Sequence, residues 1–432
     1  MTSEWRTWKI GDIGKVVTGK TPSTRQPEYF GGEYPFITIP DLDGRRDIST
    51  STRTLSQLGA ESIRGCFLPT GAIMMSCIAT IGKCGITTRP SFTNQQINSV
   101  VCRNDVYPKF LYYCFTQLGP ALEAAGGGGS VYTNVSKSRF SAIEVTLPPL
   151  PEQRAIAHIL GSLDDKIELN RQMNATLESL ARAIFKSWFV DFDPVYAKAN
   201  GDQPVGMDAA TAALFPDDFK ESELGAIPRG WRVGSILEFA DLLSGGTPKT
   251  SEPDYWNGNI AWVSAKDVSN VSGVFLLDTE RKISQAGVDN SSTKLLPAKT
   301  TIITARGTVG AHCLLGDPMT MNQTNYGLKA KKGVGDYFVY FSLKNLVERL
   351  RQQSYGTIFD TITTKTFRDT ICIQPPHNLI SAFENQIYPI MDATLNNQHQ
   401  SRTLAELRDT LLPKLISGEV RVPEGFLQDV QD

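Results

Sequence analysis

The sequence predicts an α+β protein built from two repeated globular domains, each followed by one long helix. Three observations carry that expectation. The 432-residue chain matches itself at a shift of 226 to 228 residues. Each copy opens with short runs rich in Val, Ile, Thr and aromatics, and closes with apolar residues at helical spacing. A Pro-Pro pair separates the two parts in both copies.

The repeat is ordered along the chain. Gly19-Lys20-Thr21-Pro22 returns as Gly245-Gly246-Thr247-Pro248, Tyr29-Phe30 as Tyr255-Trp256, and Asp41-Leu42 as Asp267-Val268. Thr80-Ile81-Gly82 returns as Thr308-Val309-Gly310, Asn94-Gln95 as Asn322-Gln323, and Pro148-Pro149 as Pro375-Pro376. Small drifts in the shift mark loop insertions. In the first parts, "FITIP", "AIMMS", "IAWVS" and "TTIITA" read as strands, whereas "KFLYYCFTQL" and "DYFVYFSLKNLVERLRQQ" read as helices.

Long helices are expected at roughly 151–190 and 378–417. Ile156, Leu160, Leu163, Ile167, Asn170, Asn174, Leu177, Ala181, Ile184 and Trp188 alternate four and three apart. The second copy repeats the stripe from Phe383 to Leu415, again polar in the middle, at Thr394, Asn397 and Ser401. If the helices pair antiparallel, Asn170 and Asn174 face Asn397 and Ser401, and such buried polar pairs fix register. The alternative is that each helix packs on its own domain. Pro413 is expected to cost the second helix its last turns, with Gly418 as the stop.

The resulting division is 1–150, a helix at 151–190, an acidic linker at 191–224, a second domain at 225–376, a second helix at 377–420 and a tail at 421–432. The linker, Pro- and Gly-punctuated, is expected to lie on the surface. The charge is uneven: net −2 overall, but +4 for 1–150 and again for 225–376. Two basic blocks alternating with acidic ones hint at an anionic partner. The N-terminus lacks a signal-peptide pattern, and no stretch is long and apolar enough for a membrane span. Seven scattered cysteines without a C-x-x-C pair suit reduced thiols, so a cytoplasmic protein is expected.

Enzyme motifs are sparse. Gly14–Thr21 fits G-x-x-x-x-G-K-[ST], but Pro22 follows at once and no helical periodicity begins where the phosphates would need a helix N-terminus. The second copy lacks both the first Gly and the Lys. Neither "LPPLP" nor "IQPPH" fits the loop of a nucleobase methylase. His312-Cys313 lacks metal-ligand spacing, so no metal site is expected. "GGGG" at Gly126–Gly129 reads as a flexible loop. No catalytic residues emerge, which leaves the basic blocks as the candidate site. The DNA-contact candidates are Lys20, Thr24, Arg25, Arg45, Arg46, Lys83, Lys137 and Arg139 in the first domain. Lys249, Lys266, Arg281, Lys282, Arg306, Lys365 and Arg368 are those of the second, because phosphate contact calls for Lys or Arg and guanine readout for Arg.

Several strings, "TGKTPS…YFGG", "SGGTPKT…YWNG", "LPPLPEQRAIAHIL", "ARAIFKSWFVDFDP", "GAIPRGW" and "LRDTLLPKLISGE", resemble the specificity subunit of type I restriction-modification enzymes. The resemblance spans nearly the whole chain. It implies two target recognition domains, each reading one half of a split double-stranded DNA site, held apart by two antiparallel helices forming a coiled coil. It further implies docking of two modification (methyltransferase) subunits, with restriction subunits added for cleavage. The chain itself would then be no enzyme and hold no cofactor; S-adenosylmethionine, ATP and Mg would sit on partner subunits. Two other classes stay open on the residues alone: a nucleotide-dependent enzyme using Gly14–Thr21, and a duplicated β-rich module binding protein or glycan.

Overall fold

In a computed structural model, residues 5–125, 134–353, 361–423 and 425–426 are described. The Gly126–Gly129 run lies outside them, as does part of the tail. The chain packs as two units, 1–169 with 401–432, and 170–400, so the division falls inside the long helices. Each unit holds one globular domain and half of each helix.

In the first unit a five-stranded sheet runs in the order Gly14–Thr18, Ile97–Cys102, Ile73–Ser76, Cys84–Thr87, Asp47–Ile48. Its pairs are antiparallel except the last, which is parallel. A three-stranded sheet, Arg53–Leu55, Phe30–Ile37, Phe92–Thr93, stands beside it. The second unit repeats both orders: Ala240–Ser244, Asn325–Ala330, Thr301–Thr304, His312–Leu315, Phe275–Leu276, then Lys282–Ile283, Ile260–Val263, Thr320–Met321. One helix backs each large sheet, Pro108–Ala125 and Asp336–Gln353. Their buried faces carry Phe110, Leu111, Tyr113 and Phe115, and Tyr337, Phe338, Phe341 and Leu343.

The residues that repeat are those the fold cannot replace. A Cβ on Gly19 would stand 2.1 Å from the Asn94 carbonyl oxygen, and one on Gly245 the same distance from that of Asn322. Ser56 and Ser284 cap equivalent short helices by accepting from the Gly59 and Gly287 amides, both 3.2 Å. Asp41 and Asp267 close capping boxes with Thr38 and Ser264.

The long helices run Leu150–Phe189 and His377–Ser417. Their halves pair antiparallel within each unit. In the first, Asp164 meets Arg408 at 2.7 Å. In the second, the Asn170 amide donates to the Asn397 carbonyl (3.4 Å) and to Gln400 Oε1 (2.9 Å). Asn174 donates to the Thr394 carbonyl (3.1 Å) and accepts from Asn397 Nδ2 (2.9 Å). Farther along, Phe185, Trp188 and Phe189 pack edge-on to Phe383. Separate packing of the two helices is thereby ruled out. Ser401 is half-buried at the start of the next stretch of the second helix.

Two expectations need correction. Pro413 does not shorten the second helix, which continues to Ser417. Pro413 is exposed between the buried Leu412 and Leu415, so the carbonyl it leaves unbonded can turn to water. Gly418, at φ +76°, is the stop. The 191–224 segment is more than a surface linker: Phe192, Val195 and Phe215 are buried in the second unit's core, and Ala212 is buried as well. Phe215 packs on Trp188 and Phe192 on Trp231; the acidic residues between them masked these anchors. As the Pro22 that follows it led us to expect, the Gly14–Thr21 phosphate loop is not formed: Gly14–Thr18 is a strand, and Lys20 N donates to the Thr93 carbonyl instead of opening a helix.

Candidate nucleic-acid interface

Three basic segments in each domain converge on the same end of the five-stranded sheet. The first is the turn after the outer strand, carrying Lys20, Thr24 and Arg25, or Lys249 in the second copy; all four residues are exposed. The second is the hairpin loop of the central strands, carrying exposed Lys83 or Arg306. The third is the start of a short helix, Lys137–Ala142 or Thr364–Asp369, with Lys137 or Lys365 in its first turn; Arg139 and Arg368 lie farther along it, and the Phe367 carbonyl beside Arg368 accepts from Ser235.

Backbone hydrogen bonds knit these segments together. Lys20 N donates to Thr93 O at 3.0 Å, Cys77 N to Gln96 O at 2.8 Å, and Val135 N to Cys77 O at 2.8 Å. The second domain repeats the stitching: Gly246 N to Met321 O (2.9 Å), Ala305 N to Thr324 O (2.8 Å) and Ile362 N to Ala305 O (3.0 Å). Thr21 donates its hydroxyl to Gln95 at 2.7 Å, and Thr247 bonds Gln323 likewise. Thus two repeated motifs some seventy residues apart, Gly-x-Thr-Pro and Asn-Gln, are parts of one turn. The Cys66 thiol feels the charges of both Lys20 and Lys137, which places these two candidates on one surface; burial outweighs them and pushes the thiol's pKa up.

Other candidates fall elsewhere or are already paired. Arg46 is buried, its side chain 5% exposed, and cannot reach a ligand without unfolding its surroundings. It bonds Asp47 at 2.5 Å, Asp165 on the first long helix at 2.6 Å, and stands against Gly161. Arg46 is therefore placed as a strut between domain and helix. Beside it the Tyr113 hydroxyl donates to Asp164 at 2.5 Å. Arg45 pairs with Asp43 (2.9 Å), Lys266 with Glu280 (2.7 Å), Lys282 with Asp278 (3.2 Å) and Lys365 with Asp369 (4.0 Å). These exposed pairs are weak enough to exchange for phosphate. Of the motif "PPLPEQR", Glu152 accepts from Trp5 Nε1 (3.1 Å) and pairs with Arg421 (3.4 Å). Gln153 accepts from Tyr107 N and donates to Pro148 O, both 2.8 Å. The motif clasps the helix start to the first domain.

One basic residue escaped notice in the sequence. Arg53 lies over the Phe30 ring, 4.4 Å from its centroid, as Arg281 lies over Trp256 at 3.6 Å. The signal was present at a shift of 228: Arg53, Ser56, Gln57 and Gly59 match Arg281, Ser284, Gln285 and Gly287. His312 Nδ1 donates to the Gly310 carbonyl (3.0 Å) and the ring packs on Tyr340, with burial holding its pKa down. Among the described residues no cluster of three or more His, Cys, Asp or Glu could hold a metal ion, and no helix is long and apolar enough to cross a membrane.

Known proteins share this plan. The family model described as "Type I restriction modification DNA specificity domain" matches residues 2–179 and again 228–408. The MjaIX specificity subunit of a type I restriction enzyme from Methanocaldococcus jannaschii is 28% identical over 98% of this chain and 94% of its own length. The HindI specificity subunit from Haemophilus influenzae is 26% identical over 97% of this chain and 100% of its own. Among solved structures, the S subunit of a type I restriction-modification system from M. genitalium superposes with a TM-score of 0.55 at 14% identity, covering 96% of both chains, and so shares the fold. Two copies of the family's domain, on a chain that follows the length of its relatives, make this protein a member of the type I restriction-modification specificity subunits, with two target recognition domains.

Proposed function

We propose that this chain reads a bipartite, asymmetric site on double-stranded DNA, one half-site per domain, and carries no catalytic residue of its own. The observation that carries the reading is the convergence of basic segments on the same end of two sheets of identical strand order. Phosphate contacts from such segments position a domain, and base contacts from its loops specify sequence. Two related but unequal domains on one chain suit two different half-sites. The paired long helices dock two modification subunits, to which restriction subunits add cleavage. S-adenosylmethionine, ATP and Mg belong to those partners, and the assembly works in the cytoplasm.

The test is methyl transfer. The purified chain with S-adenosylmethionine should leave DNA unmodified, whereas the chain assembled with its modification subunit should methylate a split site. Methylation by the chain alone would sink the non-catalytic assignment. DNA binding indifferent to salt would favour a protein- or glycan-binding module instead.

A further inference from the structure

We infer that Arg53 and Arg281 are equivalent phosphate-backbone contacts, one in each target recognition domain. The inference rests on the DNA-reading function proposed above and assigns residues to it. Both arginines are exposed, and both guanidinium groups lie on an aromatic face, 4.4 Å from the Phe30 centroid and 3.6 Å from that of Trp256. A second ring lies beneath each: Phe36 at 5.9 Å and Trp262 at 5.5 Å. Neither arginine has a carboxylate within ion-pair distance among the described residues, unlike Arg45, Arg46, Arg103, Arg182, Arg229 and Arg408.

Stacking fixes the plane of a guanidinium while leaving its edge of N–H donors directed outward. A flat, pre-oriented, unpaired cation of this kind matches the geometry of a phosphodiester. The backbone holds the pair in the same register in both domains. Arg53 stands across the strand from Phe36, and the Arg281 carbonyl accepts from Trp262 N at 3.1 Å. In the second domain the Trp256 and Trp262 indoles also donate to the Lys249 and Gly246 carbonyls, at 3.1 and 3.0 Å. That ties the arginine to the basic turn already described.

Recurrence selects phosphate over base. Two domains reading different half-sites cannot use one shared contact to tell those sequences apart. The phosphate backbone is what any two half-sites have in common. A lid on the aromatic core would also recur, so the experiment must separate that role.

Arg53→Gln, Arg281→Gln and the matching Lys variants are assembled with the modification subunits. Binding is measured by fluorescence anisotropy against salt, on a labelled duplex carrying the methylated sequence and on a scrambled one. Each Gln variant should weaken binding to both duplexes by roughly tenfold and flatten the plot of log K against log salt by about 0.9. The Lys variants should keep most of the slope, and thermal unfolding should move little. A Gln variant that keeps the native slope, or loses affinity only when one half-site is intact, would overturn the assignment. A drop in melting temperature with an unchanged slope would identify a lid and overturn it equally. If the native assembly itself binds without salt dependence, the DNA-reading function fails, and this inference falls with it.

Discussion

Replacing Arg46 separates two roles that a basic residue in this domain can have. Its guanidinium is nearly enclosed, yet Asp47 and Asp165 are 41% and 63% exposed at their side chains. Removing one partner of a fully buried pair costs about 3–5 kcal/mol. Here both carboxylates can regain water, so Arg46→Ala should cost less, about 2–3 kcal/mol, including the packing of the aliphatic stem. At roughly 2–4 °C per kcal/mol for a unit of this size, the melting temperature should fall by about 5–10 °C. Asp165→Asn should lose only the helix side of the contact, about 1 kcal/mol. The assay is thermal unfolding followed by circular dichroism, alongside the salt dependence of DNA binding. Because Arg46 touches helix and not solvent, the salt slope should stay as in the native protein. An Arg46→Ala variant that melts normally but flattens the slope by about one would show a phosphate contact and refute the strut.

Burial, opposed by the Phe338 amide and aided by Asp336, pushes the Glu384 carboxyl from 4.5 up to about 7. Between those values the folded state keeps a proton that the unfolded chain has released, so stability should decline as pH rises through that window and level off above it. Glu384→Gln should remove the decline and gain up to about 2 kcal/mol above pH 7, measured by urea unfolding across pH. Asn174→Leu should cost about 1–3 kcal/mol by stranding the Asn397 amide and the Thr394 carbonyl, and Asn174→Leu with Asn397→Leu should recover part of it in a double-mutant cycle. One heptad inserted after Asn174 and another after Asn397 keeps the seam in phase and adds about 10 Å of helix. The half-site sequences should stay the same while the preferred spacer grows by roughly two to four base pairs, read from methylation of a graded-spacer library. Exchanging the hairpin loops 77–83 and 305–311 should change the half-sites and leave assembly intact; unchanged methylation would exclude the loops from base readout.

The architecture was legible because its signals are periodic or duplicated. The 4-3 stripe marked both long helices, and Asn170 and Asn174 marked the polar centre of their seam. The strands showed as β-branched runs. What stayed hidden depended on contacts across the chain. Arg46 reads as one more surface cation beside Arg45, and only the fold brings it against Gly161 and Asp165. Phe192 and Phe215 sit among acidic residues, so local composition concealed their burial. Pro413 escaped the rule for helix interiors because an exposed position relaxes it. In the candidate site, sequence identified charge but not pairing. Lys266 and Lys282 look identical to Lys20 until Glu280 and Asp278 are placed beside them.

On the function proposed above, the duplication directs discrimination between half-sites to the hairpin loops. The two hairpin loops are held by the same hydroxyl grip: Ser76 Oγ donates to the Thr80 carbonyl and Thr304 Oγ1 to that of Thr308, each at 2.5 Å. The hydroxyls in turn accept from Lys83 N (2.9 Å) and Ala311 N (3.1 Å). Gly82 and Gly310 adopt the same left-handed conformation, φ +92° and +83°. Backbone geometry is therefore common, but the side chains it displays are not. The position of Ile78 in the first loop holds Arg306 in the second, and that of Lys83 holds Ala311. An arginine can bond the O6 and N7 acceptors of guanine, whereas isoleucine offers only apolar contact to a thymine methyl. Changing these residues leaves the grip, the glycines and the sheet untouched, so a new half-site can be read without a new fold. A duplicated chain can thus keep its turns and caps nearly fixed while its two domains come to recognise different sequences.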